Sequence, residues 1–336
     1  AGVGGVPPEG PGTFAVGYKD RQATRLVAML LHQQMAHTQL GHANYAGASG
    51  AQPGQPNHRG ALHNIGFMKK ALDDSRDKSL GQPLSQNVQR ECGAALHMTI
   101  AQYCSRLGDD QKALAHLSRA EKRTQSAATQ AHTLLLRAEI LIENPEAAQG
   151  SDTDPRVLLD AAKGILSKHQ GDVGREPFFT YEYLRLKLAI GSWTSETDSF
   201  QMDQDKDSLQ RVSEEVANCA CSTQLRCQLG VLRGFCRFRE GQLDPSITVA
   251  MVDQSISILG RAHKVVNEYG DIWLEHKVLR GLERGYLAAQ SREKVAEASL
   301  TIMKNRERRL EEAKQKAEKD PLHKNAIAWD LGNMSA

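Results

Sequence analysis

The chain has 336 residues, enough for one extended solenoid or two compact domains with a sizeable core. Aromatic residues make up only 5% of it and alternating Val, Ile, Thr and aromatic runs are essentially absent, which disfavours β-sandwiches and barrels and predicts an all-α fold. Its 42 Lys and Arg and 40 Asp and Glu are interspersed and give a net charge of +2, which argues against a dedicated nucleic-acid binder.

Gly, Pro and polar stretches divide the sequence into five parts. Residues 1–17 are a Gly/Pro-rich N-terminal arm, and residues 321–336 are a C-terminal tail. Two helical-repeat halves, 18–190 and 209–320, are joined by the polar linker 191–208. The halves hold roughly a dozen helices with short breaks between them, so successive helices must run antiparallel and form stacked hairpins.

Apolar spacing, N-cap residues and breakers locate these helices in chain order. A first helix spans about 20–40, and residues 41–60 form a long loop. Ser85 is the N-cap of a helical hairpin, and Asp154 with Pro155 restarts a helix further on. The remaining predicted helices lie at about 61–72, 126–143, 177–190, 209–219, 225–241, 245–269, 272–290 and 291–319.

The clearest pattern is a hairpin within 85–123. One apolar face runs along its first helix, and small residues with Leu mark the packed face of its second helix. In chain order these faces consist of Leu96, Ile100, Tyr103, Leu107, Ala113, Leu117 and Ala120. Such a hairpin cannot bury its apolar faces alone, so it needs neighbours stacked on both sides. The pattern predicts an α-solenoid of antiparallel helix hairpins.

The same hairpin resembles a tetratricopeptide repeat (TPR). Ala101 matches the small residue of the family's first helix, and Gly108 matches its turn. Ala113, Leu117 and Ala120 match the pattern of its second helix. The resemblance implies a protein–protein interaction scaffold that binds through a concave helical surface.

The hairpin also departs from the TPR pattern. His97 stands at the usual Trp position, Cys104 stands at the usual Tyr position, and the closing Pro is missing. A generic α-solenoid and a compact helical bundle therefore stay open as alternatives to a TPR-like fold.

Motifs that carry catalysis or bind cofactors are absent from the sequence. It contains no H-E-x-x-H, no G-x-S-x-G and no G-x-x-x-x-G-K-[ST]. Cys219, Cys221, Cys227 and Cys236 cluster without a C-x2-C knuckle, which favours buried structural thiols over a metal site. We therefore predict a protein that is not an enzyme, with no catalytic, metal-binding or cofactor-binding residues and no cofactor. An unrecognised all-α enzyme stays open as an alternative.

Candidate interface residues come from two other features. Trp193 and Trp329 lie in polar, irregular stretches, where they would either anchor an interface or pack against the same chain. The last predicted helix is mostly charged after Asn305, with Glu alternating with basic residues as in a solvated helix. Arg306 and Arg309 are its candidates for contact with a partner.

These features together predict a non-catalytic scaffold, a structural subunit of a large multiprotein assembly. Its partners would be other protein subunits, in a hetero-oligomer rather than a homo-oligomer. Six cysteines without a disulfide framework indicate a reducing, intracellular compartment, and no run of about 20 apolar residues predicts a transmembrane segment. The start at Ala1 fits removal of a transit peptide, which favours a mitochondrial over a cytoplasmic location, and it fits removal of an initiator Met or a trimmed sequence equally well.

An RNA-associated helical-repeat protein is the alternative function. It requires a concave surface lined with Arg and salt-sensitive binding to phosphates. The candidate residues for that surface are Arg226, Arg233, Arg237 and Arg239.

Overall fold

A computed structural model describes residues 26–33, 35–36, 58–76, 84–144, 154–169, 173–219, 221–244, 246–269, 275, 278–279, 282, 304, 308, 311–312, 314–315 and 317–329. All regular secondary structure in this part of the chain is helical, which confirms the predicted all-α fold. The predicted arm at 1–17, most of the loop at 41–60 and most of the helix at 291–319 lie outside the described residues.

Ten helices have their bounds within the described part. They are α1 (His58–Arg76), α2 (Gln86–Arg106), α3 (Asp110–Arg123), α4 (Ala127–Glu143), α5 (Pro155–Lys168), α6 (Glu176–Gly191), α7 (Ser199–Asn218), α8 (Thr223–Leu243), α9 (Thr248–Tyr269) and α10 (Pro321–Ile327).

Side chains just before the helices fix where several of them begin. The Ser85 hydroxyl accepts a hydrogen bond from the Val88 amide at 3.4 Å, and the Asp154 carboxylate accepts one from the Arg156 amide at 2.8 Å. Pro155 occupies the first turn of α5, where its missing N–H costs nothing. These contacts confirm the two N-caps predicted from the sequence.

The helices form successive pairs whose first members also contact one another. Helix α2 pairs with α3, α4 with α5, α6 with α7, and α8 with α9. Helix α2 also contacts α4, α4 contacts α6, and α6 contacts α8. Because the connections within the α2–α3 and α8–α9 pairs are short, the paired helices run antiparallel.

Three apolar cores run through these pairs. The first core is formed mainly by α1, α2 and α3, and the second by the five helices from α4 to α8. The third is formed by α8, α9 and residues 278, 279 and 282. Helix α4 contributes Ile140 to the first core and Leu141 to the second. Helix α8 likewise contributes Cys236 to the second core and Cys227 to the third. Both helices are therefore buried on two faces.

The turn between α2 and α3 depends on Gly108. Its φ is +75°, in the left-handed region, and no atom would lie within 4 Å of an added Cβ. The Gly108 amide donates to the Ser105 carbonyl at 3.0 Å, and the Asp109 amide donates to the Cys104 carbonyl at 2.9 Å. These bonds satisfy carbonyls at the end of α2. Asp109 then caps α3 by accepting from the Lys112 amide at 3.3 Å.

Substitution of Gly108 by Ala should lower the free energy of unfolding by about 1 kcal/mol, because a Cβ disfavours positive φ. Urea unfolding followed by circular dichroism measures the change. The matched control is Gly164→Ala, at an exposed position inside α5 with open space around it, which should be stabilising by about 0.4–1 kcal/mol. An unchanged midpoint for Gly108→Ala would contradict the role of this turn.

The prediction that residues 191–208 form a polar linker is wrong for the second half of that segment. Helix α7 begins at Ser199, ten residues before the predicted start at 209, and Asp198 caps it by accepting from the Phe200 amide at 3.1 Å. The position that faces the core in its second turn is Asp205, which is only 3% exposed. Because a carboxylate stands where apolar spacing would place a hydrophobic residue, the helical period is not visible in the sequence there.

Asp205 is paired with one of the predicted interface tryptophans. The Trp193 indole N–H donates to the Asp205 carboxylate at 3.1 Å, and Gln201 donates to its other oxygen at 3.3 Å. The Trp193 carbonyl in turn accepts a hydrogen bond from Arg239 of α8. The residues just before α7 are therefore held against α7 and α8 by buried polar contacts.

Asp205→Ala should lower the free energy of unfolding by about 1–3 kcal/mol, because it removes the acceptor of a buried indole N–H. Asp205→Asn keeps an acceptor oxygen and should cost less. Thermal or urea unfolding of both variants tests this, with Asp207→Ala at an exposed position of the same helix as the control, expected within about 0.5 kcal/mol of wild type. Equal effects of Asp205→Ala and Asp207→Ala would refute it.

The C-terminal tail predicted at 321–336 is wrong for its first nine residues. Pro321 begins α10 rather than only ending a helix, with Asp320 as its N-cap. Helix α10 packs against α1, and Trp329, just beyond it, is 8% exposed within the first core. The short helix was missed because the sequence around it is polar and offers fewer than two turns of periodicity.

Candidate functional site

The C-terminal residues meet the start of the helical stack at a buried aromatic and imidazole cluster. The Tyr103 hydroxyl of α2 lies 2.9 Å from His323 Nδ1, across 220 positions of sequence. The Trp329 ring lies 4.6 Å from the His97 ring, and the Arg123 guanidinium lies 5.6 Å from the Trp329 ring centre. We call residues 320–329 the C-terminal clasp.

A pair of imidazoles lies beneath this clasp. His97 Nδ1 of α2 and His116 Nδ1 of α3 are 2.9 Å apart, and both side chains are completely buried. A hydrogen bond between two Nδ1 atoms requires one ring to donate and the other to accept, so at least one ring is neutral. Burial, followed by the positive charges of His116, Arg123 and Arg119, lowers the pKa of His97 to about 2.

The Arg123 side chain of α3 lies against Gly93 of α2. A Cβ at this position would lie 2.9 Å from Nη1 of Arg123, the residue that also covers Trp329. Two residues earlier in the sequence, Glu91 accepts from the Thr124 hydroxyl at 2.7 Å and from the Ser126 amide at 3.2 Å. These contacts fix the α3–α4 connection against α2.

The cluster contains the chemical groups of an acid–base site, but all of them are buried. His97, His116 and Tyr103 are each 0% exposed, and burial raises the pKa of Tyr103 far above its ordinary range. A general base must reach the proton that it abstracts, and a side chain enclosed in this way is not in contact with solvent. The contacts of the cluster connect α2 with α3 and α2 with the clasp.

Helices α4, α6 and α8 bring a second set of polar side chains together. Gln228 of α8 donates to Glu139 of α4 at 2.8 Å, and Lys187 of α6 pairs with Glu143 of α4. The Lys187 ammonium also lies 5.9 Å from the centre of the Tyr183 ring. The surface where these helices meet therefore carries both signs of charge, with acceptors from α4 and donors from α6 and α8.

Arginines proposed for an RNA-binding surface are directed elsewhere. Arg226 donates to the Cys219 carbonyl at 2.7 Å, Arg237 pairs with Glu240 at 2.7 Å, and Arg239 donates to the Trp193 carbonyl. Arg233 is exposed on α8. Three of the four are thus engaged by contacts within their own chain, which leaves fewer of their N–H donors for phosphates.

The predicted interface tryptophans are buried in their own chain. Trp193 is 2% exposed and Trp329 is 8% exposed, so the structure shows the second of the two alternatives given by the sequence, packing against the same chain. Arg306 and Arg309 lie outside the described residues.

The predicted repeat-packing residues lie where α2 meets α3. Ala101, Ala113, Leu117 and Ala120 are 0% exposed, and Gly108 forms the turn between the two helices. Small side chains at this contact allow the two helices to approach closely.

An exposed apolar surface lies at the start of the described chain. Within helical residues 26–33 and 35–36, Met29 belongs to the first core and Ala36 is buried, and His32 Nδ1 lies 2.7 Å from Asn64 Oδ1 of α1. On the opposite side, four large apolar side chains lie in one row, between 49% and 59% exposed. This N-terminal row consists of Val27, Leu30, Leu31 and Met35.

No group of three or more His, Cys, Asp and Glu side chains within the described residues is arranged to hold a metal ion. Among the helices of the same part, none combines the length and apolar character that crossing a bilayer requires. No protein-family model, curated protein or solved structure matches the chain.

Sequence reasoning missed the residues that form the buried polar contacts. In the sequence, His97 stands out only as a departure from the TPR pattern. Asp205 lies in the segment predicted to be a linker, and His323 lies in the segment predicted to be a tail. A polar residue at a core-facing helical position is the available signal, but its partner is distant in sequence and is found only in the folded structure.

The free energy of unfolding should decrease as the pH is lowered below about 6.5. In that range the unfolded state binds a proton at His97, whereas the folded state binds it only near pH 2, at about its lowered pKa. The contribution of His97 is about 1.4 kcal/mol per pH unit across that window. Urea unfolding at pH 7.5, 6.5 and 5.5 should give a shallower pH dependence for His97→Gln than for wild type. His63→Gln, at an exposed position of α1, should keep the wild-type dependence. Identical dependence in all three proteins would contradict the role of His97.

Proposed function

We propose that this chain is a non-catalytic protein–protein interaction scaffold, a TPR-like α-solenoid that serves as a subunit of a larger assembly. The observation that carries the proposal is the N-terminal row. Contiguous exposed apolar surface of this kind marks protein–protein contact sites in folded proteins. The row extends over more than two turns of helix and lies on the face opposite to the one buried in the first core.

The order of helix contacts supports the solenoid. In a solenoid each repeat contacts its neighbours, and the same contacts recur from repeat to repeat. Here the pairs α2–α3, α4–α5, α6–α7 and α8–α9 follow one another, and their first helices touch in succession. An apolar face left over at one end of such a stack is where a further helix would pack.

Charge on α4, α6 and α8 supports a protein partner over RNA. Glu139, Glu143, Lys187 and Gln228 give the surface where these helices meet mixed polarity, and three of the four arginines of α8 are bonded within the chain. Recognition of a phosphate backbone requires a stripe of unneutralised positive charge. Mixed polarity is typical of the rim of protein interfaces.

Replacing the row by charge should remove the partner without unfolding the scaffold. Tagged wild type, expressed in cells of its source, should migrate well above its mass of 36.9 kDa with a constant, stoichiometric set of proteins identified by mass spectrometry. Leu30→Glu combined with Leu31→Glu should lose that set, because charges desolvated in an apolar contact are costly. Both side chains are more than half exposed, so the variant should unfold at the wild-type temperature.

Val249→Glu is the matched control. Val249 is an isolated apolar residue, 79% exposed, at the start of α9. This variant should keep the co-migrating proteins. Migration of the wild type alone near its own mass, or equal loss of partners in the control, would refute the scaffold proposal.

A further inference from the structure

Two cysteines lie side by side at the surface where α6, α7 and α8 meet. Cys219 ends α7 and Cys221 precedes α8, and both are partly exposed at the edge of the second core. The other four cysteines, Cys92, Cys104, Cys227 and Cys236, are each at most 6% exposed. The scaffold function uses neither thiol of the exposed pair.

A backbone hydrogen bond joins the two exposed cysteines. The Cys221 amide donates to the Cys219 carbonyl at 2.9 Å. Two fully extended steps of chain span about 6.6–7.2 Å, and extended chain cannot form this bond, so the two Cα atoms are closer together, toward the range of about 4.4–6.8 Å that disulfides bridge. Proximity of Cys219 also raises the pKa of Cys221.

Two arginines approach the first thiol of the pair. Arg175, just before α6, donates a hydrogen bond from Nη1 to Cys219 Sγ at 3.5 Å. Arg226 of α8 donates to the Cys219 carbonyl at 2.7 Å. The attacking atom in thiol–disulfide exchange is the sulfur of the thiol, so the Arg175 guanidinium lies at the atom where the reaction would begin.

The second thiol has a different environment. Burial raises the pKa of Cys221, as do the negative charge of Glu176 and the proximity of Cys219, while Arg226 and Arg175 oppose them. Glu176 itself is bound to this connection, since it accepts from the Ser222 amide at 3.3 Å. The two thiols thus differ in their surroundings: Cys219 Sγ accepts from the Arg175 guanidinium, whereas burial and Glu176 raise the pKa of Cys221.

We propose that Cys219 and Cys221 form a redox modification site, a dithiol that small disulfides such as oxidised glutathione convert into an intramolecular disulfide. The Cys219 thiolate attacks one sulfur of glutathione disulfide, which forms a mixed disulfide and releases one glutathione thiolate. Cys221 then loses its proton to solvent and attacks Cys219 Sγ, which expels the second glutathione. The two protein thiols are oxidised by two electrons, and one glutathione disulfide is reduced to two glutathione molecules.

The four remaining cysteines provide the contrast that makes the site specific. Burial raises the pKa of both Cys104 and Cys236 to about 12, with Asp109 and Glu240 respectively adding to the shift. Burial also raises the pKa of Cys92. Thiols that are both protonated and shielded from solvent exchange slowly with small disulfides.

Treatment of the folded protein with oxidised glutathione tests the site. The wild type should lose two hydrogen atoms in mass without keeping a glutathione adduct. Trypsin releases residues 212–226 as one peptide that contains these two cysteines and no other, so the bond can be located directly. Dithiothreitol should restore both thiols.

Single variants separate the two roles. Cys221→Ser should stop at a stable glutathione adduct on Cys219, and Cys219→Ser should react much more slowly. Arg175→Gln should slow the first step severalfold while leaving the final product unchanged. Cys227→Ser, which removes a buried thiol in α8, is the control and should behave as wild type.

The results that would overturn the proposal are equally distinct. A glutathione adduct that persists on the wild type would show that Cys221 does not resolve it. A disulfide located between any other pair, or equal rates for Cys219→Ser and wild type, would place the reactive thiol elsewhere. Circular dichroism of each folded variant ensures that only native protein is compared.

Discussion

Burial of single helices on two faces is the constraint on which this structure depends. Helices α4 and α8 each supply side chains to two cores, through Ile140 and Leu141 in one and through Cys227 and Cys236 in the other. A helix in this position cannot keep a wide polar face, because neighbours lie on both sides of it. Its removal would expose apolar surface on the pair before it and on the pair after it. The stability of each helix pair therefore depends on the pairs beside it, which bury its remaining apolar surface.

Buried polar contacts decide how these apolar faces are aligned. Apolar packing is tolerant of small shifts, whereas a buried hydrogen bond is satisfied in one arrangement only. Asp205 binds the Trp193 indole, His97 pairs with His116, and Glu91 holds the start of the α3–α4 connection. Each contact joins two helices, or a helix and the segment beside it. In the first two contacts, Asp205, His97 and His116 are themselves buried.

The C-terminal clasp determines which surfaces stay available. Residues 320–329 cover Tyr103 and His97 on α2 and leave the N-terminal row uncovered on the neighbouring helix. One side of the first core is thus closed by the chain itself, through contacts that span 220 residues. The other side exposes the N-terminal row, the surface on which the proposed scaffold function rests. The cysteine pair lies away from both, at the α7–α8 connection.

The sequence alone determined the helical content, the N-caps at Ser85 and Asp154, and the glycine turn at 108, because each is encoded within a few neighbouring residues. Helix α7 and the clasp could not be found in this way. Asp205 occupies a core position that apolar periodicity cannot recognise, and α10 is too short to show a period. Whether Trp193 and Trp329 face a partner or their own chain was likewise undecided by the sequence. Only the tertiary structure supplies the distant groups that bury them, since Asp205 and His97 reach these rings only after the helices have packed.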